Sequence, residues 1–207
     1  MGGHAVDPWR SARRTLAVLL FGWFAAAGTA GVSYLALRWV AVPIGVGILL
    51  CLTFAVLLAL LHRAAWIALL SLVPAVFILV GAVQYAPEAA LEARGVRERV
   101  VIVADSAEVT GGKNHRYTLR TSDGEELDER LTYKGDAWAP EVGDRLDVVL
   151  DPEGVVPMEK ADEIDPAGRL NSLIAGVVAW TLMTLLAGRR GYVRRRAGKG
   201  ESLLLSL

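Results

Sequence analysis

The sequence predicts a membrane protein of mixed class: four transmembrane helices with a small five-stranded OB-like or SH3-like β domain inserted between helices 3 and 4. Three observations predict it. Four long runs of the chain carry no Asp, Glu, Lys or Arg; the charged residues are segregated by sign between the runs although the formal net charge is zero; and one water-facing stretch switches to the two-residue alternation of β-strands. At 207 residues and 54% hydrophobic content, the chain is more apolar than an ordinary soluble domain, and the excess sits in those runs.

The uncharged runs contain 23 residues between Arg14 and Arg38, 23 between Arg38 and His62, 24 between Arg63 and Glu88, and 19 between Arg169 and Arg189. Each is long enough to span, because roughly 20 apolar helical residues cover about 30 Å of hydrocarbon. The expected order is a cytoplasmic N-terminus over residues 1–14, helices at about 15–37, 40–61 and 64–86, a β domain over 87–169 with its core at about 98–158, a fourth helix over 170–188, and a basic tail over 189–207. Arg10, Arg13 and Arg14 precede the first span, Arg63 closes the second, and Arg189, Arg190, Arg194, Arg195, Arg196 and Lys199 follow the fourth. Positive residues flanking spans mark the cytoplasmic side, and four spans put all three groups there. The stretch from Pro87 to Arg169 has 20 acidic and 11 basic residues, a net of −9, and falls outside. Tyr34, Trp39 and Tyr85 at the outer boundary, with Trp66 and Tyr192 at the inner one, fit aromatic belts. Trp23 and Trp180 sit mid-span, where packing between helices is expected.

A cleaved signal peptide competes for the N-terminus, with Arg13-Arg14, an apolar stretch from Leu16 to Ala27, and then Gly28, Thr29 and Ala30. The apolar run continues to Leu37, which favours a retained span. A twin-arginine signal is poorly matched around Ala12, Leu16 and Ala17, and Val6 stands where myristoylation of Gly2 wants Ser or Thr.

Gly22, Ala26 and Ala30 line one face of the first span, a small-residue stripe that lets another helix approach closely, either from this chain or in a homo-oligomer. Pro43 is in a tolerated first-turn position, while Pro74 should kink the third helix. Cys51, the single cysteine, reads as a small buried hydrophobe. The absence of ionisable residues within the spans argues against a pump or proton-coupled carrier. An intramembrane serine protease is excluded too, since Ser33 near the outer boundary and His62 at the inner one lie more than about 20 Å apart.

Glu88 to Gly95 reads as a short helix, a continuation of the third span closed by glycine. Strands follow at Val100–Ala104, at His115–Ser122 and around Leu127, Leu131 and Tyr133, then at Leu146–Leu150, with a short fifth around Val155–Met158. The pattern suggests a meander. A three-residue Ser122-Asp123-Gly124 loop sets Leu119 opposite Leu127 and Arg120 opposite Glu126, keeping one face apolar; a two-residue turn would oppose Leu119 to Asp128. Asp123, Glu125, Glu126, Asp128 and Glu129 lack the spacing of a calcium loop and read as solvated hairpin residues paired with Arg116 and Arg120. His115 has no Ser or Cys motif to activate. Trp138 either plugs one end of the barrel or contacts a partner or lipid headgroups.

The stretch from Gly95-Val96 through the tyrosine-bearing second strand and the Asp123-Gly124 turn to Val142-Gly143-Asp144-Arg145-Leu146-Asp147-Val148 and Leu150-Asp151-Pro152 resembles a family of uncharacterised bacterial membrane proteins. Members carry a small β domain of unknown function between transmembrane helices, ending in a VGDxVxVxYDP-type pattern. Leu150 stands where tyrosine is common, and Glu153-Gly154 departs from the usual continuation. The resemblance covers about Gly95 to Met158 and implies fold and location, with no known activity.

The expected role is therefore a non-enzymatic interaction or assembly module of the bacterial plasma membrane, without a cofactor, presenting its β domain to a protein partner outside. An accessory subunit of a transporter or export complex is the alternative. The tail from Arg189 to Lys199 is expected to meet anionic lipids, each nearby basic residue contributing about 1 kcal/mol, and nucleic acid is not an expected partner.

Overall fold

A computed structural model describes residues 8–62, 65–134 and 138–196. The elements run α1 (Pro8–Leu35), α2 (Ala41–His62), α3 (Ala65–Leu70), α4 (Leu72–Arg94), β1 (Val96–Asp105), α5 (Ser106–Thr110), β2 (Asn114–Thr121), β3 (Leu131–Lys134), β4 (Arg145–Leu150), β5 (Glu159–Lys160) and α6 (Pro166–Arg196). They form two compact units, one of residues 1–86 with 167–207 and the other of residues 87–166. Among the described residues, four helical stretches are long and apolar enough to cross a membrane: Trp9–Leu35, Ala41–Leu61, Ala65–Arg94 and Pro166–Arg194. The first, third and fourth run past their uncharged cores, since helical hydrogen bonding continues as polar side chains take over. α6 in particular carries on to Arg196, so the basic run through that residue is helical.

In the helical unit, apolar side chains face both ways. Val18, Ala25, Ala26, Phe54, Leu58, Ile78 and Trp180 form the core, while Leu20, Phe24, Leu49, Leu52, Val76 and Leu182 point outward. An apolar exterior of this kind suits a lipid solvent. Trp180 is 2% exposed and stacks on Phe54, with ring centroids 3.9 Å apart. Trp23 donates through Nε1 to the Thr181 hydroxyl at 3.0 Å, so both mid-span tryptophans join helices. The Ser33 hydroxyl donates to the Val83 carbonyl at 2.8 Å, tying α1 to α4.

The irregularity expected at Pro74 appears as a break at Ser71, between α3 and α4. Proline has no N–H to return to the Leu70 carbonyl, and its ring crowds that turn. Side-chain contacts brace the break. The Ser71 hydroxyl donates to the Ala68 carbonyl at 2.6 Å, and Trp180 Nε1 donates to the Ser71 carbonyl at 2.9 Å. Ser71 is buried, so in a medium without water these contacts are what make the break tolerable.

α4 and α6 approach at two glycines. A Cβ on Gly81 would lie 2.6 Å from the Leu173 nitrogen and 2.7 Å from the Arg169 carbonyl oxygen; one on Gly176 would lie 2.9 Å from both the Ile78 nitrogen and the Pro74 carbonyl oxygen. Besides Ile78 Cγ1 and Leu173 Cβ, the neighbours are backbone, which cannot swing aside. Gly176→Leu is expected to force these helices apart and lower the bundle's stability by about 1–3 kcal/mol or more. Gly31→Leu, where a Cβ meets nothing within 4 Å, should be close to neutral. Detergent-titration unfolding of the full chain compares the two.

The β unit is a five-stranded antiparallel sheet, nearly closed and barrel-like, in the order β3-β2-β1-β4-β5. β1 is central, pairing β2 on one side and β4 on the other, with a register shift between Ile102 and Ala104 that adds curl. The chain therefore does not form a simple meander, because β4 returns beside β1 rather than β3. Val100, Ile102, Tyr117, Leu119, Leu131, Val148 and Met158 fill the interior. The β2–β3 hairpin keeps the three-residue loop: Gly124 has φ +88°, Thr121 N donates to the Glu125 carbonyl at 2.8 Å, and Arg120 pairs with Glu126. Regular pairing resumes only at Tyr117 and Leu131, because Asp128, Glu129 and Arg130 loop out of the ladder; β3 is correspondingly short. Gly95 closes α4, where any Cβ would collide with the Leu91 carbonyl and Val149.

Two further departures from the sequence reading have identifiable causes. Val155–Met158 is not a strand, because its backbone donors are taken by carboxylates: Val155 N and Val156 N by Asp151 Oδ2 at 3.0 and 2.9 Å, and Met158 N by Glu129 Oε1 at 2.7 Å. Pairing moves instead to Glu159 and Lys160, opposite Val149 and Val148. The short helix α5 was not anticipated, although Asp105 and Glu108 carry the spacing of an N-terminal cap and Gly111, at φ +63°, closes it.

Candidate functional site

The β unit presents three features: an exposed tryptophan, a carboxylate hub at Asp151, and a histidine–carboxylate pair. Trp138 lies between β3 and β4, is 95% exposed, and has φ +63°. Among the described residues it is the one non-glycine with a positive φ. A left-handed backbone costs a bulky residue about 1–3 kcal/mol, and Trp138 recovers none of it by burial. Exposure of this degree rules out the plug reading. The side chain is held where another molecule can reach it.

Asp151, of the Asp151-Pro152 dipeptide, fastens the segment that follows β4. Its carboxylate is fully enclosed and takes a bidentate contact from Arg94 on α4, Nε to Oδ1 at 2.9 Å and Nη2 to Oδ2 at 2.8 Å. It also accepts from the backbone of Glu153 at 3.2 Å and of Val155 and Val156. Glu153 meets the other end of the same guanidinium at 2.7 Å, and Gly154, at φ +62°, turns the chain. Burial acts to raise the carboxyl pKa, but the Arg94 contact and three N–H donors outweigh it and hold it at about 2. An unfolded Asp titrates near 3.9, so the unfolded state takes up the proton more readily. The stability this group contributes, about 2–3 kcal/mol, is complete above roughly pH 4 and is lost as pH falls through the folded value. Acid titration of strand order, followed by circular dichroism, should show that loss in wild type and not in an Asp151→Asn variant.

His115 Nδ1 lies 2.6 Å from Asp105 Oδ2, while Asp105 Oδ1 accepts from Ala107 N at 2.9 Å and caps α5. The imidazole stacks on Tyr117, centroids 5.6 Å apart, and meets Tyr133 edge-on at 6.3 Å. Burial, together with the nearby charge of Asp105, pushes the Tyr117 hydroxyl up to about 12. The pair thus ties α5 to β2 within an aromatic setting.

The acidic hairpin residues divide by task. Glu126 Oε1 pairs with Arg120 Nη2 at 2.7 Å in an exposed bridge, and Glu129 holds Met158. Among the described residues no group of three or more His, Cys, Asp or Glu is placed to hold a metal ion. Arg97, Arg145 and Lys160 line a cleft of about 440 Å³ with Asp147 and Asp162, a mixture of signs.

In the helical unit, Gly22 meets Phe54 and Trp180, and Ala26 is buried; Ala30 is half-buried. The α1 stripe thus packs, at Gly22, within its own chain. The fuller seam is on α6, where Gly168, Ser172, Gly176, Trp180, Thr184 and Gly188 recur every four residues. Ser172 donates to the Phe77 carbonyl at 3.1 Å, and Gly188 abuts Thr15. That four-residue spacing was visible in the sequence and identifies the seam. Of the tail residues, Arg189, Arg190 and Arg194 border a groove shared by α3 and α6; Arg195 and Arg196 fall in the last turn of α6, and Lys199 lies outside the described residues.

Comparison with family models, curated proteins and solved structures finds no match for this chain.

Proposed function

We propose that the chain is a multi-pass protein of the bacterial plasma membrane, with both termini cytoplasmic and residues 87–169 outside, that acts as a non-enzymatic interaction or assembly module. The observation that carries this reading is Trp138, an aromatic side chain 95% exposed on a strained backbone. Such residues anchor partners by offering large rigid area at low entropic cost. The remaining conspicuous groups of the β unit have internal work: Asp151 and Glu129 fasten the segment before β5, and Asp105 with His115 fastens α5. The net charge of −9 between Pro87 and Arg169 favours a basic protein partner and discourages nucleic acid. The segregation of positive residues supports the sidedness. Membership of the family of uncharacterised bacterial membrane proteins is part of the same proposal, on the Val142–Pro152 pattern.

The strand order supports the OB-like alternative over the SH3-like one. An OB-fold is a partly open five-stranded Greek-key barrel. Here Lys160 of β5 lies 5.3 Å over the Tyr133 ring of β3, and just before these strands Glu129 accepts from Met158 N.

A photo-crosslinking amino acid in place of Trp138, activated in intact cells, tests the module. Adducts with an envelope protein are expected. Recovery of a multi-span permease alone would instead favour the transporter-subunit reading, and no protein adduct at all would refute the module.

A further inference from the structure

The β unit is acidic as a whole, yet the outer surface of its sheet is not. In β1, β2 and β4 the interior positions go to Val100, Ile102, Tyr117, Leu119 and Val148, so the alternate positions point outward. Those outward positions carry five arginines, Arg97, Arg99, Arg116, Arg120 and Arg145, against one acid, Asp147. The ladder sets them side by side: Arg120 and Arg145 flank Val101, and Arg99 stands opposite Asp147. Asp147 pairs with Arg99 at 2.8 Å and Glu126 with Arg120 at 2.7 Å, so five cations meet two carboxylates on this face. On the β4 side Arg97 and Arg145 also border the cleft of about 440 Å³, where Lys160 and Asp162 offset one another.

The opposite charge is concentrated in the loop after β2. Asp123, Glu125 and Asp128 are exposed there. Thr121 holds the turn, its N–H donating to the Glu125 carbonyl at 2.8 Å and its hydroxyl accepting from the Glu125 N–H at 3.3 Å. Thr121 is opposite Val100, so the loop projects beyond Val100 at the end of the sheet where Arg97 and Arg99 stand. One compact unit thus carries both a basic face and an acidic tip. Two such units fit head to tail, the tip of one on the face of the next, which is a heterologous contact.

The stretch from Pro87 to Arg169 has a net charge of −9, so two units repel at a distance. Exposed charges more than about 8 Å apart are largely screened at physiological salt, and at contact the signs that face one another decide. A long polyanion would run along the whole acidic unit, whereas a loop tip brings its carboxylates to the arginines alone. We propose that the outer face of β1 and β4, around Arg97 and Arg145, is a self-association surface whose occupant is the β2–β3 loop of a second copy of this chain, with Asp123 and Glu125 at the contact. This contact does not use Trp138, so it adds a homotypic interaction to the module without resting on that side chain.

Disulfide crosslinking between two differently tagged full-length copies tests the surface. Both copies carry Cys51→Ala and are co-expressed, one with Ser122→Cys in the loop and the other with Val101→Cys on the face, and their isolated membranes are oxidised. Linked heterodimer should form about fivefold more than when the second cysteine is Thr110→Cys, at the other end of the sheet. Arg97→Glu/Arg145→Glu in the Val101→Cys copy, or Asp123→Lys/Glu125→Lys in the Ser122→Cys copy, should each bring the yield down to that control. Both reversals together, which restore opposite signs across the contact, should recover at least half of the excess. Moving Arg97→Glu/Arg145→Glu to the Ser122→Cys copy should leave the yield nearly unchanged, which separates loss of the contact from loss of the fold. A yield at Val101→Cys no higher than at Thr110→Cys, equal loss from either placement of the arginine reversal, or no recovery in the double reversal would overturn the self-association surface.

Discussion

Asp151→Ala is expected to unfold most of the β unit. The substitution removes the acceptor for a part-buried bidentate arginine contact and for three backbone N–H groups in one step. Leaving enclosed N–H groups without their acceptor costs about 1–3 kcal/mol each, while Arg94, a third exposed, keeps its contact with Glu153. A unit of residues 87–166 has little to spare, since a single core of that size rarely supplies more than about 3–5 kcal/mol. Amide exchange in β1 and β4 of the full chain should accelerate about 100- to 1000-fold, while exchange in α1 and α2 stays as in wild type. Asp151→Asn keeps the shape and one acceptor, and should fall between the two. Unchanged β1 protection in Asp151→Ala would show that the hub is ornamental.

Trp180→Ala carries the largest expected effect in the helical unit. Large-to-small truncation of a buried aromatic costs about 3–5 kcal/mol, and here it also removes the stack on Phe54 and the donor to the Ser71 carbonyl. That carbonyl also accepts from Ala75 N at 3.2 Å, so losing the Trp180 donor weakens the tie between α6 and the junction of α3 and α4 rather than orphaning the carbonyl. Trp180→Phe retains a ring over Phe54 and should lose only about 1 kcal/mol, the share of one interhelical hydrogen bond. Unfolding of the full chain in mixed micelles separates the two variants. A Phe variant as unstable as the Ala variant would assign the effect to the hydrogen bond alone.

Features written locally were legible in the sequence. An uncharged run of 23 residues has few structural outcomes, and the Gly124 loop declares its register because only one pairing keeps Leu119 opposite Leu127. Features that depend on distant partners were not. Nothing around Asp151 points to Arg94, 57 residues earlier, so the Asp-Pro pattern looked like an ending rather than the fastening between α4 and the loop after β4. The same carboxylate consumes the Val155 and Val156 donors, which is why a β-branched stretch that reads as a strand becomes a loop. The adjacency of β1 and β4 is a nonlocal pairing of the same kind. For the candidate site, Trp138 was identified by its position in a loop between apolar strands, but its exposure and left-handed backbone required the structure. The basic tail was visible as composition; that α6 continues as a helix to Arg196, with Arg189, Arg190 and Arg194 bordering a groove, required the structure.

The central claim is sidedness: an anchor of four spans that holds a β unit outside and a basic terminus inside. Cysteine labelling in intact cells tests it on the full chain, and the single native thiol, Cys51, is buried among the helices and can be replaced by alanine. In that background, Asp123→Cys in the β2–β3 loop should react with a membrane-impermeant maleimide, and Ser202→Cys should react only after the membrane is opened. Labelling of Ser202→Cys with protection of Asp123→Cys in intact cells would contradict the account.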